Sequence, residues 1–299
     1  MIAIGINGFF MITLLLIIVI NEYIISYALY LRGILMLMII DSILLGVVQG
    51  ITEFLPISSS GHLILLRSFL GGQEGNASLL FDLVVHLVTA LIIAIYFHKE
   101  IYKIIVAGPK KWLLILIGII PAGVVGYIYG DTISDGLRST TVVLVMLIIG
   151  SLLMIIGEMI TKKITTQHKQ HSQPGFREIF IMGLFQVLAL IPGTSRSGST
   201  IAGGLIAGLT RKTAATYSFL LGLPLIAGAA TLKIVALIQV DGVANVDKVS
   251  LFAGGIATLI SGFLAIHLLM KILTQKTLWL FIWYRLALAF VLIVFLLYS

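Results

Sequence analysis

Residues 46–62 read GVVQGITEFLPISSSGH, and residues 183–198 read GLFQVLALIPGTSRSG. Each opens with Gly, two apolar residues and Gln, crosses an apolar run to Pro, and closes in a serine-rich turn that ends in Gly. The Gln-to-Pro interval, Gln49 to Pro56 in one and Gln186 to Pro192 in the other, differs by a residue that a loop absorbs. Both lie inside longer segments, about 39 to 70 and 179 to 211, that are apolar at either end and broken by Pro, Gly and Ser. Neither reads as one continuous helix.

The surrounding chain is strongly apolar. Of 299 residues, 60% are hydrophobic and 10% charged, with a mean hydropathy of +1.16, against roughly 45–50% apolar and about 25% charged in soluble domains. A water-soluble domain is excluded. Apolar runs at roughly 9 to 31, 79 to 97, 112 to 129, 142 to 160, 214 to 239, 250 to 270 and 278 to 298 predict spanning helices, each meeting the need for about 20 apolar residues. The chain has no cysteine, which removes disulfides, thiolate metal sites and cysteine nucleophiles. The net charge of +7 does not indicate nucleic acid, because the lysines and arginines fall in short loops between apolar runs, as topology signals do.

Those loops set the orientation. Lys99, Lys103, Lys110 and Lys111 outweigh Glu100, and Lys162, Lys163, Lys169 and Arg177 outweigh Glu178, so both loops are placed in the cytoplasm; the loops around Asp131 and Asp135 and around Asp241 and Asp247 face outward. The first interrupted stretch then dips in from outside, and the second enters and leaves on the cytoplasmic side. Each is followed by three spanning runs. Three is odd, so the second copy is inverted relative to the first, and inverted repeats with broken helices set a binding site near the bilayer midplane. The expectation is an all-α polytopic membrane protein with an inverted-topology repeat: six core transmembrane helices, two re-entrant broken-helix elements and an extra N-terminal hydrophobic segment. Residues 1–38 are that extension, and 39–299 one membrane domain made of two repeats, about 39–160 and 179–299. Two ordinary Pro-kinked helices are the alternative.

The second turn has the makings of an anion cradle. Gly193 and Gly198 permit unusual backbone angles, Ser195, Ser197, Ser199 and Thr200 supply hydroxyls, and a helix N-terminus follows. Arg196 adds a permanently charged planar fork suited to phosphate. An arginine within a membrane element costs about 2.5–3.5 kcal/mol or more and needs a partner; the competing reading of Arg196 is a structural ion pair with Glu53.

The first turn carries Glu53, Ser58, Ser59, Ser60 and His62. Gln49 and Glu53 share a helical face and offer oxygens to a hard divalent cation, Mg²⁺ or Ca²⁺, with Gln49 the weaker ligand. His62 is a candidate proton donor or nucleophile, and Ser59, three residues before it, a nucleophile that it could activate. For the serines, helix capping is the plain alternative. Asp82 and His86, one turn apart, either pair with each other or line the cavity, with the structural role favoured. Arg285 either snorkels to the cytoplasmic surface or holds a lipid headgroup. Glu158 and Lys233 lie near helix ends, and Gly203, Gly204 and Gly208 read as close helix packing.

At these residues the chain resembles the undecaprenyl-diphosphate phosphatases associated with bacitracin resistance. Gln49 and Glu53 match that family's first acidic motif, Ser58 to His62 its Ser-Ser-x-Gly-His turn, and Pro192 to Thr200 its Pro-Gly-x-Ser-Arg-Ser-Gly-x-Thr motif. The likeness runs from about Ile39 to the C-terminus and includes Tyr217 to Pro224 and the Tyr284-Arg285 pair. It implies an enzyme of the bacterial plasma (inner) membrane that hydrolyses undecaprenyl diphosphate to the monophosphate and inorganic phosphate with a divalent cation. Such an enzyme recycles the lipid carrier for peptidoglycan synthesis, serving cell wall biogenesis, cell shape and antibiotic resistance. The implied partners are the polyprenyl substrate and membrane lipids, with a homodimer admitted and no nucleic acid. The residues so assigned are Glu53, Ser59, His62 and Arg196 for catalysis, Ser58, Gly193, Ser195, Ser197, Gly198 and Thr200 for substrate, and Glu53 with Gln49 for metal. Gln49 stands where many relatives carry Glu, and residues 1 to about 35 have no counterpart in the usual pattern. A secondary transporter or lipid flippase for an anionic substrate is the rival reading, since inverted repeats are its usual architecture.

Overall fold

The computed structural model describes residues 38–70, 75–167, 170–240, 247–275 and 277–298. The N-terminal run expected at 9 to 31 lies outside them. The described chain is helical throughout, apart from one isolated bridge between His171 and Leu209. Helix α1 covers 38–54, followed by α2 (Ser59–Leu70), α3 (Asn76–Tyr96), α4 (His98–Val106), α5 (Pro109–Gly136), α6 (Thr140–Gln167), α7 (Phe176–Leu188), α8 (Arg196–Ile206), α9 (Arg211–Gln239), α10 (Lys248–Gln275) and α11 (Trp279–Tyr298). Six of these, α3, α5, α6, α9, α10 and α11, are long and apolar enough to cross a membrane. The protein is a multi-pass membrane protein.

Sequence chemistry accounts for the element ends. Pro56 stops α1, because the residue before a proline is driven out of helical geometry. Thr210 starts α9 by accepting from the Thr213 amide at 3.2 Å, and Asp247 starts α10 by accepting from the Val249 amide at 3.0 Å. The Glu178 carboxylate accepts from the Gly175 amide at 2.8 Å at the head of α7. The short α4, in a stretch read from sequence only as a charged loop, buries none of its residues.

The two interrupted stretches become the broken pairs α1/α2 and α7/α8, and each first half-helix crosses a long helix of the other half of the chain through glycine. A Cβ on Gly46 of α1 would stand 2.2 Å from the Gly254 carbonyl oxygen of α10, and one on Gly183 of α7 would stand 2.7 Å from the Gly118 carbonyl oxygen of α5. Gly46 and Gly183 are the opening residues of the two matching motifs. In lipid, where no hydrophobic drive separates helix from tail, such close approach supplies the dispersion contact that holds helices together. Polar bonds reinforce each crossing: Thr258 donates to the Gly46 carbonyl at 3.0 Å, and Gln186 to the Gly118 carbonyl at 3.4 Å. Between the halves, α3 packs on α9 and α6 on α11, around a core that includes Phe54, Phe97 and Phe219.

Candidate active site

Both broken pairs turn through a serine with left-handed backbone. Ser58 has φ +76° and Ser195 φ +72°, the only non-glycine residues with positive φ among those described. Side chains adopt that conformation at a cost of roughly 1–2 kcal/mol, and such strain concentrates at functional sites. Each serine repays part of it as an N-cap: Ser58 Oγ accepts from the Gly61 amide at 3.3 Å, and Ser195 Oγ from the Gly198 amide at 3.1 Å. The two turns are thus in register, Ser58 with Ser195 and Gly61 with Gly198. The next residue of each, Ser59 and Arg196, begins a helix.

Those two residues converge on one carboxylate. Ser59 Oγ donates to Glu53 Oε2 at 2.6 Å, and Arg196 Nη2 to Glu53 Oε1 at 2.9 Å. Glu53 is 6% exposed, so its charge is compensated by these donors and not by solvent. The ion pair between Arg196 and Glu53 that the sequence offered as an alternative therefore exists, but it does not exhaust the arginine. Nη1 donates to the Ser218 carbonyl at 3.1 Å, while Nε is buried with no partner among the described residues. A buried N–H without an acceptor is costly and marks where an anion can be bound.

Gly222 of α9 makes room for this guanidinium: a Cβ there would stand 2.3 Å from Arg196 Nη1. Phe219 lies beneath it, its ring centre 5.6 Å from the guanidinium carbon.

Most of the hydroxyls expected to cradle an anion have other work. Ser197 Oγ donates to the Glu53 carbonyl at 3.4 Å, Ser199 Oγ to the Ser195 carbonyl at 3.0 Å, and Thr200 to the Arg196 carbonyl. These bonds build the turn and seat α8 against the first one. Gly193, at φ +97°, lies against α6, where a Cβ would meet the Val143 carbonyl at 2.7 Å, and Gly198 is buried against Met154.

His62 is held at both ring nitrogens. Nδ1 lies 2.7 Å from the Ser58 carbonyl oxygen, which can only accept, so the proton is on Nδ1. Nε2 lies 2.8 Å from the Tyr284 hydroxyl, and the two rings stack at 5.7 Å. The neutral imidazole thus accepts from Tyr284 through Nε2. Ser59, which the spacing offered to His62 for activation, gives its hydrogen bond to Glu53.

Three further contributors were left open by the sequence, which allowed His86 either a pair with Asp82 or a place lining the cavity and gave Tyr284 and Arg285 no assigned role in the reaction. His86 Nε2 stands 3.9 Å from Glu53 Oε2, its Nδ1 bonded to the Asp82 backbone carbonyl at 2.6 Å; the Asp82 carboxylate instead binds Arg67 and Arg138. Tyr284 touches His62. Arg285, fully buried, neither snorkels nor meets a headgroup. It donates to the Pro56 carbonyl at 3.5 Å and the Gly193 carbonyl at 3.1 Å, one from each turn, and to Met146, Leu147 and Ser151 of α6. Glu158, also buried, is gripped by Arg211. The partners of Arg285 stayed hidden because main-chain carbonyl acceptors leave no trace in side-chain chemistry.

A divalent cation has a fitting donor set at one place. Gln49 is fully buried beside Glu53, with Nε2 3.3 Å from Oε2, and its Oε1 has no partner among the described residues. An orphaned amide oxygen next to a carboxylate suits a hard cation. Among the described residues no three His, Asp or Glu side chains cluster for metal binding, so other ligands would have to come from phosphate and water.

A sequence profile described as "Bacitracin resistance protein BacA" matches residues 42–291. The chain is 36% identical over 266 residues to a protein of Idiomarina loihiensis named undecaprenyl-diphosphatase, the match covering 85% of this chain and 97% of that one. It is similar to proteins of the same name from Thermodesulfovibrio yellowstonii, at 41% identity over 258 residues (86% and 96% covered), and from Methanosphaera stadtmanae, at 38% over 273 residues (83% and 95% covered).

Proposed function

The chain belongs to the bacitracin resistance protein BacA family, and from that premise we propose that it hydrolyses undecaprenyl diphosphate to undecaprenyl phosphate and inorganic phosphate. In the bacterial plasma (inner) membrane this recycles the lipid carrier for peptidoglycan synthesis and confers bacitracin resistance. The observation that carries the reading is the meeting of Ser59 and Arg196 on Glu53, at 2.6 and 2.9 Å: a hydroxyl on one oxygen of a base and a guanidinium on the other, between apolar helices.

Phosphoryl transfer asks a protein mainly for positioning and charge stabilisation. Arg196, with its unpartnered Nε, holds the terminal phosphate. Ser59 Oγ attacks that phosphorus as its proton passes to Glu53; the bond to the bridging oxygen breaks, and undecaprenyl phosphate leaves with the electron pair. Water then attacks the phosphoserine, the P–Oγ bond breaks, inorganic phosphate departs, and the serine recovers a proton from Glu53. His62, fixed by Ser58 and Tyr284, borders the turn from which Ser59 acts and is the alternative nucleophile through Nε2. Glu53 and Gln49 would hold the divalent cation, which when bound neutralises charge on phosphate oxygens.

Purified protein is tested for phosphate release from prenyl diphosphates of several lengths labelled in the terminal phosphate, with parallel quenches in acid, which phosphoserine survives, and in mild alkali, which phosphohistidine survives. Phosphate release with acid-stable label on Ser59, replaced by no label in Ser59→Ala, supports the proposal; label that survives alkali but not acid moves the nucleophile to His62. Binding and movement of the lipid without hydrolysis would replace the enzyme by a transporter.

A further inference from the structure

At the end of the molecule where α9 begins, a groove of about 450 Å³ opens between α3, α9 and α10. Loop charge assigns this end to the cytoplasm. Lys212 and Thr216 enter from the first turns of α9, His267, Lys271 and Thr274 from the last turns of α10, and Glu100 from α4. Neither lysine makes an ion pair or side-chain hydrogen bond with any described residue. Two lysines against one glutamate leave the groove cationic, with two hydroxyls beside the charges.

The groove is separate from the Glu53–Arg196 pair. Its floor is Phe97, whose ring stacks on Phe219 at 5.8 Å; Phe219 in turn packs against Phe54 at 5.7 Å and carries Arg196 on its other side. Tyr96 and Met270 extend the wall as apolar surface. Basic pockets between membrane helices on the cytoplasmic side bind anionic headgroups, and an aromatic at the interface is suited to the glycerol and upper chain region.

We propose that this groove is a second anion site that takes a phosphate group, presented by a phosphodiester headgroup of the adjacent leaflet or as free inorganic phosphate. The lysines compensate its charge, Thr216 donates to its oxygens while Thr274 keeps its hydrogen on the Lys271 carbonyl at 2.7 Å, and the wall of Tyr96 and Met270 receives the start of a lipid chain.

The test titrates purified protein with short-chain phosphatidylglycerol in one arm and inorganic phosphate in the other, reading thermal shift and, for the lipid, retention by native mass spectrometry. Phosphatidylcholine is the lipid control. Wild type is expected to be stabilised by at least one of the two anions, and the arm that responds identifies the source. Lys212→Gln/Lys271→Gln is expected to weaken that binding by about tenfold or more, and Lys271→Glu, which changes the charge by the same amount, to weaken it comparably. Lys110→Gln/Lys111→Gln, which removes equal charge elsewhere on the same face, is expected to bind as wild type does. Equal loss in the control variant, no loss in the groove variants, or no response of wild type to either anion would each overturn the assignment.

Discussion

Arg196 Nη2 and Glu53 Oε1 stand 2.9 Å apart, although 143 residues separate them in the chain. Each is the other's chief charge compensation, and in the proposed reaction both act on one phosphoryl group. Glu53→Gln and Arg196→Gln are therefore expected to lower turnover by about 10²–10³ each, and the double variant by little more than either single one. Phosphate release by the three variants measures this; additive losses would show that the residues act independently.

Gly222 is expected to be intolerant of any side chain. A Cβ there falls 2.3 Å from Arg196 Nη1, so Gly222→Ala must displace the guanidinium from Glu53 and the Ser218 carbonyl. The stability cost is about 1–3 kcal/mol, while turnover drops by about 10²-fold, the usual result of misplacing a reacting group by an ångström. Thermal unfolding together with phosphate release checks both; a folded and fully active variant would contradict this seat for Arg196.

The turn serines yield an ordering of variants. At Ser195 and Ser58, alanine loses the cap and keeps the strained φ, whereas glycine loses the cap and relieves the strain. Ser195→Ala is thus expected to cost about 0.5–2 kcal/mol and Ser195→Gly only a few tenths, with the same order at Ser58. Midpoints of thermal unfolding in detergent decide it, and an alanine variant as stable as glycine would refute the conformational argument.

Replacing Arg285 strips donors from carbonyls of both turns at once. Arg285→Met leaves several buried acceptors unpaired at about 1–3 kcal/mol each, and Arg285→Lys restores charge but not the planar fork. Both are expected to unfold earlier than wild type, with the lysine variant intermediate in stability yet low in activity. Activity fully rescued by lysine would mean that charge alone, and not the clasp, is required.

The cation predicts its own signature. Gln49→Glu adds a second carboxylate beside Glu53, so in chelator the variant should melt below wild type through like-charge repulsion, and a smaller concentration of Mg²⁺ or Ca²⁺ should restore turnover. Gln49→Leu should raise the cation requirement. Chelator titrations of activity distinguish these from a metal-independent enzyme, in which all three proteins would respond alike.

Much of this was legible in the chain, for reasons particular residues show. The six long helices follow from apolar runs of membrane-spanning length, and the broken pairs from Pro56 and Pro192 with their serine turns. Gln49, Glu53, Ser59 and Arg196 stood out because charge and hydroxyls are rare in such surroundings. What stayed hidden depends on partners that sequence does not specify. Asp82 and His86 read either as a pair or as lining the cavity, with the pair favoured; distance assigns the carboxylate to Arg67 and Arg138 and turns the imidazole toward Glu53. The role of Arg285 rests on main-chain carbonyls, and the hydroxyls of Ser197 and Thr200 are spent on the backbone where their chemistry suggested a ligand.

The shared register of Ser59 and Arg196 has a corollary. Two identical half-length chains, assembled about a two-fold axis, would present the same side chain at both positions: a pair of hydroxyls or a pair of cations, never one of each. Two turns that differ in sequence, as these do, can divide the work, one carrying the attacker and the other the electrostatic clamp on a shared carboxylate.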